Sequence, residues 1–372
     1  MSDVFRVIDK FNITGRGTVY IINNRRSFNA LIGDVFCDLR GNRFKLKGAE
    51  MIRRTSGNIS DDDTIGVMFE LVDGSEVEGN ILVKTPLQIN FLFCNSPLYP
   101  KRPDEDYEQE YKAAKTHYSC ALFSFEDINC GKLSLYGEKI SGLTIYRGWM
   151  MSPETYMLLY EKLEEENIIL INSPQEYEAF HLLPGWYNDF KEYTAFSVWE
   201  DKGTLNSVME ITKGLTGSYI VKDYVKSRKH EWYDACFISN IADKVNTSKV
   251  VGNFIERQGS DLVGGVVLRQ YEKLKPIGFH EKSGMPISEE YRAFIFAGRI
   301  LIVDSYWKKD DKCLFSDDEI LWIRSLIKKV KSNFVTIDLA RREDGRLIII
   351  EMGDGQVSGL QEIDPEDFYK SF

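Results

Sequence analysis

The sequence FVTIDLARREDGRLIIIEMGDGQ, which spans Phe334 to Gln356, holds two apolar runs with a carboxylate at the end of each. Asp338 follows the first run, and Glu351 follows the second and leads into the turn GDGQ. A charge among apolar neighbours is costly to bury without a partner, so we expect both carboxylates to have partners. The glycines of the turn would let backbone amides approach a phosphate or a substrate, although a plain β-turn explains them equally well.

Three earlier strands each carry one cation among apolar neighbours, and these cations are Lys222, Arg269 and Arg292. The strand of Lys222 runs into a basic loop that begins at Lys226. Two carboxylates on adjacent strand ends, with cations converging on them, suit magnesium and a triphosphate, because Mg²⁺ takes one or two carboxylates plus phosphate oxygens. The alternative is that these charges face solvent on one side of a sheet and form ordinary ion pairs.

The chain divides into three parts with different strand and helix patterns. Residues 1–86 show short β-runs separated by glycines, which predicts a small β-barrel. Residues 87–188 alternate strands with helices, which predicts a three-layer α/β domain. Residues 189–372 carry longer strands with charged residues inside them. The predicted fold class is therefore a multidomain α+β and α/β protein that begins with the barrel.

The composition limits the classes of protein to which the chain can belong. Of its 372 residues, 43% are hydrophobic, which is enough for packed cores and excludes a disordered tail or a coiled coil. The net charge of −10 argues against a nonspecific nucleic-acid-binding protein and against DNA as a partner. Residues 1–86 hold 12 basic and 12 acidic residues, so the whole net charge lies in the remainder.

Common motifs for metals, nucleotides and membranes are missing from the sequence. The six cysteines include no CxxC pair, which argues against a zinc site. Neither the P-loop pattern nor GxGxxG occurs. No apolar run approaches the roughly 18 residues that a membrane span needs, so we expect a cytoplasmic protein with no membrane partner.

Several segments together point to a family. Near the C-terminus they are VVLRQYEKL (Val266–Leu274), EEYRAFIFAGRIL (Glu289–Leu301), FVTIDLARREDGRLIIIE (Phe334–Glu351) and MGDGQVSGL (Met352–Leu360). These resemble the ATP-grasp family, in the divergent clade named for two arginines and a lysine, which includes the eukaryotic cell-division-cycle protein that assembles translation initiation factor two. Upstream, FLFCNSPLYPKRPD (Phe91–Asp104), IYRGWM (Ile145–Met150) and LLPGWY (Leu182–Tyr187) resemble the pre-ATP-grasp domain of bacterial members. The resemblance implies a pre-ATP-grasp domain over 87–188 and an ATP-grasp core over 189–372.

The resemblance implies ATP and Mg²⁺ as cofactors and gives roles to residues of this chain. Lys222 would reach the α- and β-phosphates, and Lys226 would lie in the loop that covers them. Asp338 and Glu351 would hold magnesium. Family members carry Glu-x-Asn in the last strand, whereas the third position here is Gly353, so Asp354 is predicted as the substitute ligand.

The same resemblance assigns residues to the base and the reacting groups. The adenine-side hinge would be formed by Gln270, Tyr271 and Glu272. Arg269 and Arg292 would lie near the phosphates or an acyl phosphate, where they would have catalytic roles. Independently of the resemblance, Arg147 is a candidate for binding a substrate carboxylate, because arginine pairs with a carboxylate through two parallel hydrogen bonds. Gln356, in the turn after Glu351, is a second candidate for the substrate. The alternative for Arg147 is a surface or helix-capping arginine.

The first part resembles a different family. The segments are FNITGRGTVY (Phe11–Tyr20), IGDVF (Ile32–Phe36), GAEMIRR (Gly48–Arg54), IGVMFEL (Ile65–Leu71) and EVEGNILVK (Glu76–Lys84). Their order is similar to that in the second, β-barrel domain of elongation factor Tu and related translational GTPases. The resemblance implies a binding role for the barrel, and the alternative is a generic spacer.

Three functions are compatible with these observations. The first is an ATP- and Mg-dependent carboxylate–amine ligase that modifies a peptide or protein through an acyl phosphate. The second is a non-enzymatic, ATP-binding assembly factor for a partner from the translation machinery. The third, ranked lowest, is a nucleic-acid or ribosome binder that uses the basic pairs Arg25-Arg26 and Arg53-Arg54 of the barrel.

Overall fold

The structure is a computed structural model that describes residues 4–23, 28, 30–50, 64–73, 76–307 and 315–372. The basic pairs Arg25-Arg26 and Arg53-Arg54, on which the nucleic-acid hypothesis rests, lie outside the described residues. Across the helices that are described, none combines the length and the apolar character that a membrane crossing requires.

The first part forms a barrel whose strands are β1 (Val4–Ile13), β2 (Gly17–Ile22), β3 (Val35–Asp38), β4 (Arg43–Glu50), β5 (Ile65–Asp73) and β6 (Ile81–Lys84). These strands are antiparallel and close in the order β1-β2-β5-β4-β3-β6. Successive side chains of a strand point to opposite faces, so one set fills the interior, where Phe5, Phe36 and Phe44 are buried. The predicted small β-barrel is confirmed.

The second part is a five-stranded sheet with helices. Its strands are β7 (Asn90–Cys94), β8 (Ser119–Phe123), β9 (Leu135–Gly137), β10 (Gly142–Arg147) and β11 (Ile168–Leu170). The order is β11-β10-β7-β8-β9, and every neighbouring pair is parallel except β8 and β9. Parallel strands are covered on both faces, which explains why β7 and β8 are continuous apolar runs.

The helices of this part are α1 (Glu108–Lys115), α2 (Phe125–Asn129), α3 (Pro153–Glu165), α4 (Pro174–His181) and α5 (Leu183–Phe190). Three of these five helices, α2, α3 and α4, begin at a serine cap. Ser152 caps α3 by accepting a hydrogen bond from the backbone of Thr155. At α4, Ser173 and Glu176 cap each other's backbone amides reciprocally. Helix α4 carries His181, which lines the site described below.

The third part contains two four-stranded antiparallel sheets. The first consists of β12 (Ser197–Glu200), β13 (Tyr219–Asp223), β14 (Phe237–Ile238) and β15 (Val266–Gln270), in the order β12-β15-β13-β14. Its helices are α6 (Leu205–Ile211), α7 (Trp232–Ala235) and α8 (Lys244–Gln258). A hairpin of β16 (Pro276–Phe279) and β17 (Pro286–Ser288) follows it.

The second of these sheets consists of β18 (Glu290–Phe296), β19 (Arg299–Ser305), β20 (Phe334–Arg341) and β21 (Leu347–Asp354). Its order is β19-β18-β20-β21, so the two strands of the opening sequence pair directly. Helix α9 (Asp317–Ile327) precedes β20, and helix α10 (Pro365–Lys370) follows β21. We call the sheet of β12 to β15 the upper sheet and the sheet of β18 to β21 the lower sheet.

One buried hydrophobic cluster crosses the boundary between the barrel and the rest of the chain. Val4, Cys37 and Ile81 of the barrel belong to the same buried cluster as Phe91 of β7 and Phe334 of β20. Burial of apolar surface at such a boundary stabilises it by roughly 25 cal/mol for each Å² removed from water. The barrel is therefore packed as part of the body.

A buried ion pair crosses the same boundary. Arg6 Nη1 donates to Glu176 Oε2 at 2.8 Å, and Arg6 Nη2 donates to the carbonyl oxygens of Leu170 and Ile171 at 3.0 and 3.2 Å. Asn80 of the barrel also donates to Glu176 at 3.0 Å. Burial alone would lower the pKa of Arg6, but Glu176 together with Tyr160 and Tyr156 outweighs burial, and the pKa is raised. The pair ties the barrel to the start of α4.

We expect Arg6→Met to lower the free energy of unfolding by about 3 kcal/mol, because it leaves Glu176 buried without its cation. Urea unfolding followed by circular dichroism measures this loss. Arg43→Met is the matched control, since the side chains of Arg43 and Asp73 are 54% and 45% exposed and exposed pairs contribute little to stability. Equal losses in the two variants would contradict a structural role for the buried pair.

Candidate active site between the two sheets

A row of charges crosses the lower sheet at one level. Arg292 of β18 lies opposite Asp338 of β20, and Asp338 lies opposite Glu351 of β21. Residues directly opposite in antiparallel strands share a face, so the three side chains are neighbours. Arg292 donates from Nε to Asp338 Oδ1 at 2.8 Å and from Nη2 to Asp338 Oδ2 at 2.6 Å. Burial opposes the charge of Arg292, but Asp338 outweighs this and raises the pKa of Arg292.

A β-bulge at Ile350 gives Glu351 its direction. In the register of β20 and β21, Leu339 is opposite Ile349 while Asp338 is opposite Glu351, so Ile350 is an extra residue. A bulge changes the side to which the following residues point. Ile349 therefore packs in the core, whereas Ile350 and Glu351 line the cleft between the sheets.

Lys222 connects the upper sheet to this row. Its Nζ donates to Glu351 Oε1 at 2.6 Å, and the side chains of Lys222 and Glu351 are 5% and 33% exposed. On β13 and β15, Lys222 is opposite Val267, and Arg269 is opposite Ile220. Because alternate residues share a face, Lys222 and Arg269 both point toward the lower sheet. Both predicted carboxylates thus have the cationic partners that the sequence requires.

Arg269 is held by backbone of the lower sheet. Its Nη2 donates to the carbonyl oxygen of Ile350 at 2.6 Å and to Thr194 Oγ1 at 2.7 Å. Its Nη1 is buried and has no hydrogen-bond partner among the described residues. Burial lowers the pKa of Arg269, against the opposing charge of Glu351. Arg269 is only 7% exposed, so this Nη1 nitrogen of its guanidinium is both buried and without a partner among the described residues.

Two adjoining cavities meet at this cluster. The larger, of about 470 Å³, is lined by Lys226, Arg292 and Asp338, and the smaller, of about 120 Å³, is lined by Lys222 and Arg269. Both are lined by Ser227, Lys229, Met285, Glu290, Ile350 and Glu351. The smaller cavity also includes the three predicted hinge residues, Gln270, Tyr271 and Glu272.

The smaller cavity has an aromatic wall. Trp232 stacks on Phe237 with ring centroids 5.2 Å apart, and Tyr271 meets Phe237 edge-on at 5.0 Å. Glu272 does not point freely into this space, because it forms an ion pair with Arg342. A flat apolar slot beside two cations suits a heteroaromatic ring that carries a negatively charged tail.

Several residues of the site were not among the sequence-predicted site residues, and they include His181, Lys229, Glu290 and Tyr306. Desolvation disfavours the charged form of Lys229, but the charges of Glu290, Glu351 and Asp338 raise its pKa above the ordinary value. The Tyr306 ring lies under the guanidinium of Arg292 at 4.8 Å. The basic loop of Lys226, Arg228 and Lys229 is the one sequence signal that pointed to this set.

Two predicted residues have a different place from the one the sequence suggested. Arg147 is fully buried, donates to both oxygens of Glu110 at 2.9 and 3.0 Å, and also donates to the carbonyl oxygens of Gly355 and Ser358. Gln356 is fully buried and donates to Tyr156 Oη at 2.7 Å. These contacts occupy both side chains, so they fix the turn after β21 instead of meeting a substrate.

Asp354 borders the larger cavity, but its carboxylate has other partners. It is fully buried and accepts hydrogen bonds from Asn172 Nδ2 at 2.6 Å and from the backbone of Gln356 at 2.9 Å. Burial raises its pKa to about 7. Because its oxygens already serve the turn, we leave Asp354 out of the metal site that we propose.

The residues that remain fit a magnesium ion. Asp338 and Glu351 are carboxylates on opposed positions of one face, and hard divalent cations prefer such oxygen ligands. Among the residues that the structure describes, no group of three His, Cys, Asp or Glu could hold a metal by itself. Mg²⁺ takes one or two carboxylates and completes its shell with phosphate oxygens and water.

A family model matches residues 211–372, and it is described as an ATP-grasp domain, family 3 of the clade named for two arginines and a lysine. No curated protein matches the chain. The predicted fold class is confirmed in its coarse form: a mixed α+β chain with a closed N-terminal barrel, followed by further sheets and helices.

Solved structures of ATP-grasp proteins are similar at low identity. A RimK domain ATP-grasp protein from Sphaerobacter thermophilus is 8% identical, with 76% of this chain and 98% of that chain covered and a TM-score of 0.47. The D-cycloserine synthetase DcsG is 11% identical, with 77% and 98% covered and a TM-score of 0.49. The ligase PsnB, solved with a minimal precursor, Mg and ADP, is 11% identical, with 74% and 92% covered and a TM-score of 0.43.

We expect His181 to make folding stability depend on acid pH. Burial and the nearby Lys226 and Lys222 lower its pKa from 6.5 to about 4. The stability contributed by neutral His181 is fully present above about pH 6.5 and is lost as the pH falls through 4, because the unfolded chain binds the proton first. Over this range wild type should lose about 3 kcal/mol more than His181→Gln in urea unfolding.

His117→Gln is the control for this measurement, since His117 is a partly exposed surface residue beside Glu366. Both variants lose one imidazole, but we expect only the His181 variant to have a shallower pH dependence than wild type. Parallel curves for wild type and His181→Gln would show that burial does not suppress protonation of His181.

Proposed function

We propose that the protein is an ATP-dependent carboxylate–amine ligase. The observation that carries the proposal is the row of Arg292, Asp338, Glu351 and Lys222 at the junction of two cavities. Two carboxylates with converging cations, between a small aromatic slot and a larger polar cavity, suit transfer of a phosphoryl group from a nucleotide to a second substrate.

The cavities suggest where each part of ATP binds. The base would occupy the smaller cavity beside Trp232 and Tyr271, and the phosphates would extend toward Lys222 and Lys229. Lys226, on the loop that follows β13, would lie over the phosphates from the larger cavity. Asp338 and Glu351 would hold Mg²⁺, which when bound neutralises charge on the phosphate oxygens.

The reaction that suits this arrangement has two steps. A carboxylate oxygen of the acyl substrate forms a bond to the γ-phosphorus while the bond to the leaving ADP oxygen breaks. An amine then forms a bond to the acyl carbon, inorganic phosphate leaves, and the nitrogen loses a proton. Arg292 and Lys229 are the cations placed to stabilise the charge that develops on the phosphoryl group in the larger cavity. A peptide or protein as the acyl substrate remains a prediction from the sequence resemblance.

A second candidate function is nucleotide-dependent binding without catalysis. It is favoured by the bidentate pairing of Asp338 with Arg292, which occupies both carboxylate oxygens. It is also favoured by Gly353, which has no carboxamide side chain to serve as a third metal ligand beside the two carboxylates. A partner from the translation machinery, and a likeness of the barrel to elongation factor Tu, remain predictions from the sequence.

We expect Mg-ATP to stabilise the wild-type protein and to stabilise Lys222→Met much less, because this change removes a cation from the proposed phosphate site. At 100 times its dissociation constant, a ligand adds about 2.7 kcal/mol to the free energy of unfolding. Thermal unfolding with and without Mg-ATP measures the difference. Lys331→Met, which removes an exposed lysine paired with Asp189, should keep the wild-type shift.

The two candidate functions differ in their products. With a pool of peptides as acyl donors and hydroxylamine as the amine, a ligase should release ADP and form hydroxamates, and Arg292→Met should abolish both. Stabilisation by Mg-ATP without ADP or hydroxamate would favour the binding function. No stabilisation of wild type by Mg-ATP would contradict both functions.

A further inference from the structure

Four positions form a square on one face of β20 and β21. Asp338 lies opposite Glu351, and two residues away on each strand Thr336 lies opposite Gly353. Because side chains two residues apart on a strand share a face, all four positions face the proposed magnesium site. A ligand two residues after Glu351 would have to project from Gly353, which has no side chain.

The space beside Gly353 is already occupied. A Cβ atom built at Gly353 would lie 2.9 Å from Thr336 Oγ1 and 3.0 Å from Ser358 Oγ. Contacts this short do not accommodate a larger side chain without movement of both hydroxyl groups. The glycine is therefore matched to two hydroxyl groups that fill the position of the missing side chain.

The two hydroxyl groups have one proton each, and the contacts show where each proton goes. Ser358 Oγ donates to the carbonyl oxygen of Asp354 at 2.8 Å. In the pair of Ser358 Oγ and Thr336 Oγ1, which are 2.8 Å apart, Thr336 is then the donor. The carbonyl oxygen of Gly353 lies farther from Thr336 Oγ1, at 3.4 Å, and can only share the same proton. This leaves the two lone pairs of Thr336 Oγ1 without a donor among the described residues, in a side chain that lines the larger cavity.

We infer that Thr336 Oγ1, oriented by Ser358, is the oxygen that takes the place of the absent carboxamide in the magnesium site. The inference rests on the proposed function and adds a ligand to it. A neutral hydroxyl oxygen is an accepted ligand for Mg²⁺ beside a phosphate, as the serine or threonine of P-loop proteins illustrates. The site then consists of two carboxylates and one hydroxyl in place of two carboxylates and one amide.

Binding of Mn²⁺ to the complex of the protein with ADP tests the inference, with free Mn²⁺ measured by electron paramagnetic resonance. We expect Thr336→Val to raise the dissociation constant of Mn²⁺ roughly ten-fold or more, and Thr336→Ser to keep it near that of wild type. Ser358→Ala should have a smaller effect in the same direction. Binding of ADP without metal, measured by calorimetry, shows that each variant is folded.

Thr144→Val is the matched control, because it removes a buried threonine hydroxyl from β10, which lies in another sheet. It should leave the affinity for Mn²⁺ unchanged. A second comparison exchanges the ligands: Gly353→Asn alone should weaken Mn²⁺ binding, because the new side chain meets Thr336 and Ser358. Combined with Thr336→Ala and Ser358→Ala, Gly353→Asn has room and should restore the affinity.

The outcomes separate the inference from the proposed function. If wild type with ADP binds Mn²⁺ and Thr336→Val binds it equally well, the role of Thr336 is refuted while the nucleotide site stands. A further comparison sets the triple variant, Gly353→Asn with Thr336→Ala and Ser358→Ala, against the double variant that has only the two alanines. If the triple variant binds Mn²⁺ no better than the double variant, position 353 does not face the metal, and the inference is refuted. If wild type with ADP binds no Mn²⁺, both the inference and the proposed metal site fail.

Discussion

The ion pair between Lys222 and Glu351 holds the two sheets of the third part at the distance on which the site depends. Its cation comes from the upper sheet and its carboxylate from the lower sheet, and the two cavities meet beside it. Pairing of this kind offsets the cost of removing two charges from water, and it adds little net stability. The ion pair matters for orientation, because it fixes which faces of β13 and β21 meet. It also leaves the side chain of Glu351 partly exposed to a ligand.

The strands and their charges could be predicted from the sequence, because apolar runs interrupted by single charges have few structural explanations. The pairing of those charges could not, since it depends on the register of separate strands. The bulge at Ile350 is the clearest case: four consecutive apolar residues give no sign that one of them is extra, yet that residue decides where Glu351 points. The contacts of Arg147 and Gln356 could not be predicted for a related reason, because their partners come from distant segments.

The sequence suggests that the barrel is a separate module, whereas in the structure it packs against the rest of the chain. Its neutral charge and its glycine-separated strands set it apart, and the boundary near residue 86 remains a prediction. One buried hydrophobic cluster, however, joins residues of the barrel to residues of the body, and Arg6 reaches Glu176 at the start of the helix that carries His181. Local sequence can indicate the fold of the barrel. It does not indicate the interface between the barrel and the body, because that interface joins residues that are far apart in the sequence.

Arg147 has a consequence for the order of events during synthesis. Its guanidinium is covered by carbonyl groups that follow it by 208 and 211 positions, and Tyr369 Oη donates to its partner Glu110 at 2.9 Å. A ribosome therefore releases the five-stranded sheet long before the atoms that enclose this arginine exist. Until α10 emerges, the nascent sheet holds an ion pair open to water, so the second part cannot reach its final packing on its own. Its packing is completed by residues of β21, of the turn that follows it and of α10.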